Sequence, residues 1–298
     1  MNSTFFQSAV SVFTALLDPA GNSIIASGLT SVAGPLTALL VIYVIVTGIM
    51  CSLGELTAGT AVRRIMRAGF VSMLLTATYF NPYVRDLFIT TLPNWIASAV
   101  SNGTAANIPQ QCDLIRSAMM HMAAAIFQNS GGFMDMDVRL ETGFCLFLGT
   151  VFLGVLVLVS TLTHAFMVLT VCIAPFVIAA YLFDATKGFV EGWIGKVVGL
   201  SVLALLVSVT AQITVAADAK MMINIANATG AGLQEQISNL VSVIVFFLFM
   251  AAILLGLPSL AYSIGKGVTI NTGAGAALSA PGRALRSFSN SSFNLRSR

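Results

Sequence analysis

Five stretches of this 298-residue chain contain no Asp, Glu, Lys or Arg: residues 32–54, 68–84, 142–183, 197–217 and 236–265. A helix rising ~1.5 Å per residue needs about 20 mostly apolar residues to cross ~30 Å of hydrocarbon. Four of the windows meet that length, 68–84 lies near the lower limit, and 142–183 is about twice as long as one span requires. In lipid every backbone polar group must be satisfied internally, so such windows fold as helices. Composition agrees: 57% of residues are hydrophobic and 8% charged, against roughly 25% charged in a soluble domain. The mean hydropathy is +0.93. The expected fold class is an all-α integral membrane protein. It is a polytopic helical bundle with five (alternatively six) spans and a small helical extracytoplasmic segment.

The charges divide the chain. Residues 1–32 carry Phe5, Phe6, Val10, Phe13, Leu16 and Leu17 at helical spacing and then "DPAGN". They read either as an interfacial helix that ends there or as a helix packed on its own bundle. Residues 33–83 hold two spans, Ala33–Cys51 and Ala68–Tyr83, around "ELTAGTAVRRIMR". Short loops rich in Lys and Arg stay cytoplasmic, so Arg63, Arg64 and Arg67 place this loop inside and the N-terminus in the periplasm. No basic residue precedes Arg63, so no cleavable signal peptide is expected. Residues 84–141, with three Arg and five acidic residues, read as a periplasmic helical segment. Its exposed contact candidates are Trp95, Met119 and Met122. Residues 142–264 are the main transmembrane block. Residues 265–298, rich in Gly, Ala and Ser with five basic residues and no acid, read as a disordered basic tail.

The window 142–183 carries the parity of the topology. Its natural break points are "STLTH" at 160–164 and Pro175. Two full spans there make six in total and put the basic tail outside. One span plus a re-entrant piece near Pro175 makes five and puts the tail in the cytoplasm with Lys187 and Lys196. Charge favours five and hydrophobic length favours six; five is the expectation.

Catalytic chemistry is not visible in the sequence. His121 falls on the polar side of an amphipathic segment, and His164 sits in an apolar block, where a bond to a neighbouring helix is expected. Neither pairs with Cys or carboxylates at metal-ligand spacing. "SIGKGVT" at 263–269 lacks the phosphate-loop spacing. Cys51, Cys145 and Cys172 lie in apolar windows and Cys112 in a polar segment, so no disulfide framework is expected. No cofactor, metal or catalytic residue is expected, and the chain is not expected to be an enzyme. Ser208, Thr210, Gln212 and Thr214 suit hydrogen bonds between helices. The basic tail suits anionic lipid better than nucleic acid.

One short stretch stands out, "KGFVEGWIGKVVG" at 187–199. Trp193 suits the membrane–water boundary. Gly188 and Gly192, and Gly195 and Gly199, have the four-residue spacing that lets helix backbones approach in lipid. Pro175 lies ahead of this Trp in "IAPFVIAAYLFDATKGFVEGWIGKVVG". "LPNWIASAV" precedes the central block, and "LPSLAYSIGKGV" closes the last span. In order and spacing these resemble the TrbL family, the polytopic inner-membrane subunit of type IV secretion systems (the sixth VirB-type component). The resemblance covers about residues 30–268 and is sharpest over 170–268. It implies a structural and conduit subunit of the bacterial inner membrane that supports pilus assembly and transfer of DNA or protein. It implies partners among major and minor pilins, inner-membrane scaffold proteins and ATPases, transient contact with the transported DNA or protein, and a homo-oligomer in membrane lipid. It also implies a periplasmic N-terminus and a cytoplasmic C-terminus. A small-solute transporter or channel is the alternative.

Overall fold

In the computed structural model, residues 4–100, 108–129, 136–228 and 233–268 are described. Among them every regular element is helical. The helices are α1 (Phe5–Ser52), α2 (Ala58–Leu74), α3 (Ala77–Phe80), α4 (Leu92–Val100), α5 (Ile108–Asn129), α6 (Met136–Cys172), α7 (Ala174–Ala180), α8 (Lys187–Ala228) and α9 (Leu233–Val268). π-helical turns at Asn81–Arg85 and Leu87–Thr91 join α3 to α4. Four helices are long and apolar enough to cross a membrane: α1, α6 from Arg139, the segment Asp184–Ala217, and α9 from Val241.

α1 differs from its expected division. It runs unbroken through "DPAGN" and the 32/33 boundary, with Pro19 and Pro35 inside it. At 48 residues it is about 72 Å long. Its first turn is held from far along the chain. The buried Asp113 of α5 accepts the backbone N–H groups of Phe6 at 2.9 Å and Gln7 at 3.0 Å. Those are two of the four N–H groups a helix start leaves without partners, and an acid there also meets the positive end of the helix dipole. Arg116 lies over the Phe5 ring, 4.7 Å from its centre. Of the two readings for the N-terminal helix, packing on its own bundle is the one observed.

α1 and α6 run parallel. Phe6 approaches Gly154, Asp18 meets His164, Gly21 lies against Val168 and Cys172, and Gly28 lies against Pro175 and Phe176. α8 and α9 form an antiparallel hairpin, with Gly199 beside Ala261 and Gly265. One apolar cluster joins α1, α5, α6, α8 and α9 around Leu153, Leu156, Val207 and Leu254. A second joins α1, α2, α6, α7 and α8 around Ile25, Val71, Phe80, Val171 and Trp193. Lipid tails are as apolar as these side chains, so close packing and interhelical hydrogen bonds hold such a bundle.

The second expected span, Ala68–Tyr83, is not one straight helix. α2 ends at Leu74, Thr76 is extended, and a new helical run starts at Ala77. In the long window the break falls at Pro175, where α6 gives way to α7, while "STLTH" lies inside α6. Proline lacks the N–H that the carbonyl of Val171 would need, and its ring crowds that carbonyl. The linker at 101–107, residues 130–135 of the other turn-rich stretch, and the tail from 269 lie outside the described residues. Residues 265–268 still belong to α9.

Candidate functional site

The site is the junction where α6 breaks and α8 begins. Ending α6 at Cys172 leaves its last carbonyls without intrahelical donors. Trp193 fills that gap: its indole N–H donates to the Thr170 carbonyl at 2.9 Å. The ring is 9% exposed, among Val190, Val197, Met167 and Val171. Trp193 is therefore a buried cap between two helices. The Pro175 ring packs on Gly28 of α1, where a Cβ would stand 3.6 Å from proline Cγ. The break and the indole thus tie α1, α6, α7 and α8 together.

The glycines divide. A Cβ on Gly265 would stand 2.6 Å from the Gly195 carbonyl oxygen and 2.8 Å from Gly199 Cα. Gly195 and Gly199 accordingly form a backbone-to-backbone seam with α9. Gly192 has nothing within 4 Å of such a Cβ, and Gly188 is partly exposed. Only the second of the two glycine pairs is part of this seam.

A polar rim closes the junction. Arg67 of α2 pairs with Asp184 at 2.5 Å and lies over the Tyr181 ring, 5.4 Å from its centre. Lys187 sits 3.8 Å from Glu191.

The contact candidates separate in the same way. Trp95 is 65% exposed. Met119 is not on a contact surface: it is buried against Gly149 in the bundle core. The side chain of Met122 lies outside the described residues. His121 is exposed.

His164 makes the bond to a neighbouring helix expected of it. Its Nε2 lies 3.0 Å from Asp18 Oδ1 on α1. Asp18 went unnoticed in the sequence because "DPAGN" reads as a turn. Ser208, Thr210 and Thr214 donate to carbonyls of their own helix, not across to another. "SIGKGV" is the end of α9, not a loop. Among the described residues no group of three or more His, Cys, Asp or Glu could hold a metal ion, and Cys51, Cys112, Cys145 and Cys172 are free thiols.

Residues 40–257 match the family described as TrbL/VirB6 plasmid conjugal transfer protein. The chain is 28% identical over 246 residues to Protein VirB6 of Agrobacterium fabrum, covering 79% of this chain and 81% of that protein. It is 27% identical over 268 residues to the type IV secretion system protein VirB6 of Bartonella quintana, covering 85% of this chain and 78% of that protein. A third relative, from Bartonella henselae, is 29% identical over 194 residues, 61% of this chain and 57% of that one.

Proposed function

This chain belongs to the TrbL/VirB6 family, and from that premise we propose that it is a structural and conduit subunit that supports pilus assembly and carries DNA or protein across the inner membrane. It is a multi-pass inner-membrane component of a type IV secretion system and works among other secretion subunits. Its role is scaffolding, with bond-making left to partner ATPases. It assembles as a homo-oligomer, since a single bundle of this size encloses no space for a macromolecule.

The parallel run of α1 and α6 carries the topological part of this reading. Two consecutive spans can point the same way only if the chain between them returns across the membrane. The broken run from α2 through α4 serves as that return: Phe80 and Val84 belong to the cluster that holds Trp193, and α4 packs on α8. Five crossings follow, with the N-terminus periplasmic and the C-terminus cytoplasmic. This places much of residues 84–100 in the bundle and leaves the periplasmic role to the exposed Trp95 and the segment beyond it.

The outer faces support assembly with other subunits. α6 presents Phe147, Leu158, Phe166 and Leu169 outward, and α9 presents Leu248, Phe249 and Ile253. These suit lipid. α1 also exposes apolar side chains from Leu39 to Ile49, but between Asp18 and Ser31 it presents Asn22, Ser23, Ser27, Thr30 and Ser31 around the exposed Ile24, beside the half-exposed Asp18. A carboxylate is costly in hydrocarbon, so this face belongs against protein or water.

One observation favours the second reading, a small-solute transporter. The return run is broken and holds an Arg85–Asp86 ion pair at 2.8 Å, and carriers place broken helices and charges near the midplane. Purification in mild detergent separates the two. Recovery in a large complex with pilin-like and ATPase subunits supports the conduit. A lone protein that moves a solute in liposomes sinks it.

A further inference from the structure

We propose that α2 holds an anionic phospholipid, with the headgroup phosphate on Arg63 and Arg64 and the acyl chains along Val62, Met66 and Phe70. This goes beyond the role in secretion and does not depend on it.

α2 has three sides. Ala61, Ala68 and Val71 are buried against the bundle. Val62, Met66 and Phe70 share the opposite side and are 54%, 69% and 58% exposed. Arg63 is exposed on the edge beside Phe70, Arg67 follows it along that edge, and Arg64, half-buried, lies one step further toward the bundle. Arg67 is neutralised by Asp184. Among the described residues, Arg63 makes no ion pair, and the polar contact of Arg64 is to the weak acceptor Met50 Sδ at 3.9 Å. Arg64 and Lys187 both lie close enough to Asp184 to feel its charge. Three cations, Arg64, Arg67 and Lys187, thus gather around the carboxylates Asp184 and Glu191, and Arg63 adds a fourth positive charge on α2 with no ion pair among the described residues.

A surplus of positive charge along an apolar helix edge needs an anion that brings hydrocarbon with it. The basic end of a crossing helix sits at the cytoplasmic headgroup level, where anionic lipid is attracted to it. The phosphates of a nucleic acid would meet the arginines but leave Val62, Met66 and Phe70 uncovered. That favours the lipid.

The full chain in nanodiscs of mixed phosphatidylglycerol and phosphatidylethanolamine tests this, by weighing the lipid retained after detergent exchange. The wild type should retain phosphatidylglycerol preferentially. R63Q/R64Q should retain it about 30-fold more weakly, since each basic residue near an anionic surface is worth about fivefold. Bimane on M66C or F70C, in a Cys51→Ser background, should be quenched by brominated acyl chains. Absence of a phosphatidylglycerol preference in the wild type overturns the proposal. So does quenching by aqueous iodide instead of brominated lipid. Binding of a single-stranded oligonucleotide in zwitterionic nanodiscs, lost in R63Q/R64Q while phosphatidylglycerol retention is unchanged, also overturns it and assigns the arginines to nucleic acid.

Discussion

Trp193 donates its indole N–H to the backbone carbonyl of Thr170, three residues before the break that Pro175 imposes on α6. The two residues depend on each other. Without the break, that carbonyl would belong to the helix ladder; without the indole, the break would leave a half-buried acceptor unpaired. Gly28 of α1 lies within van der Waals reach of the Pro175 ring and joins α1 to the arrangement.

Two substitutions separate the hydrogen bond from the packing at Trp193. Trp193→Phe keeps most of the volume and removes the donor from a half-buried acceptor, so it should cost about 1 kcal/mol, the scale of a typical hydrogen bond. Trp193→Ala removes the ring as well and should cost about 3–5 kcal/mol. Thermal unfolding of the purified protein in one detergent reads both. Equal losses would mean that the bond to Thr170 contributes nothing.

The glycine seam predicts opposite outcomes for two similar changes. Gly265→Ala places a methyl group 2.6 Å from the Gly195 carbonyl oxygen. The neighbour is backbone, so α8 and α9 must separate and lose contacts along the hairpin. Gly192→Ala meets nothing within 4 Å and should be neutral or stabilising by up to about 1 kcal/mol, since alanine is the better helix former. Yield of folded protein and melting temperature should fall for the first and hold for the second. A tolerated Gly265→Ala would contradict the close approach.

The helical membrane class was legible because charge-free windows of span length have few other solutions, and the break at Pro175 followed from a missing N–H. Other features were hidden for physical reasons. "DPAGN" has turn composition, yet Pro19 stays inside α1. In a bundle, neighbouring helices can tolerate a proline that water would turn into an end. Met119 read as a contact candidate because sequence cannot tell which way a helix face points, and this face of α5 points into the core. Spacing at 188, 192, 195 and 199 could not tell which glycines have a helix opposite them. The link from Asp113 to the first turn of α1 spans more than 100 residues, and no local pattern announces it.

Cys112 carries a pH dependence. Burial, and secondarily the nearby Asp113 carboxylate, pushes its thiol from an ordinary value of 9.0 up to about 12. A raised value favours the neutral thiol in the folded state. Its contribution to stability is therefore fully present below pH 9 and is lost as the pH rises through about 12. At pH 8, maleimide should modify Cys112 far more slowly in the folded protein than after unfolding, because the thiolate is the nucleophile. Equal rates would show that packing of α5 on the bundle does not shield it.

Asp18 and His164 should be energetically coupled. They lie in otherwise uncharged parts of α1 and α6, and their side chains are 44% and 28% exposed, so the coupling is that of a partly solvated pair. A double-mutant cycle of Asp18→Ala and His164→Ala should give about 0.6 kcal/mol, the usual scale for polar pairs between membrane helices. Strict additivity of the two substitutions would mean that the 3.0 Å contact does not set how α1 seats on α6.

The topology itself is testable at three points. If α1 and α6 cross in the same direction, the run from α2 through α4 must cross back. The basic stretch of α2 then shares a side with the turn at Asp184, which the Arg67–Asp184 pair requires in any case. The C-terminus, after the α8–α9 hairpin, falls on that side too. Alkaline phosphatase fused at Arg298 should therefore be inactive, while a cytoplasm-active reporter there should work. The same phosphatase fused after Val100 should be active, because that point ends the return crossing. An active phosphatase at Arg298 would require an even number of crossings. That in turn would require the parallel α1–α6 seam to form with one of the two helices outside the bilayer.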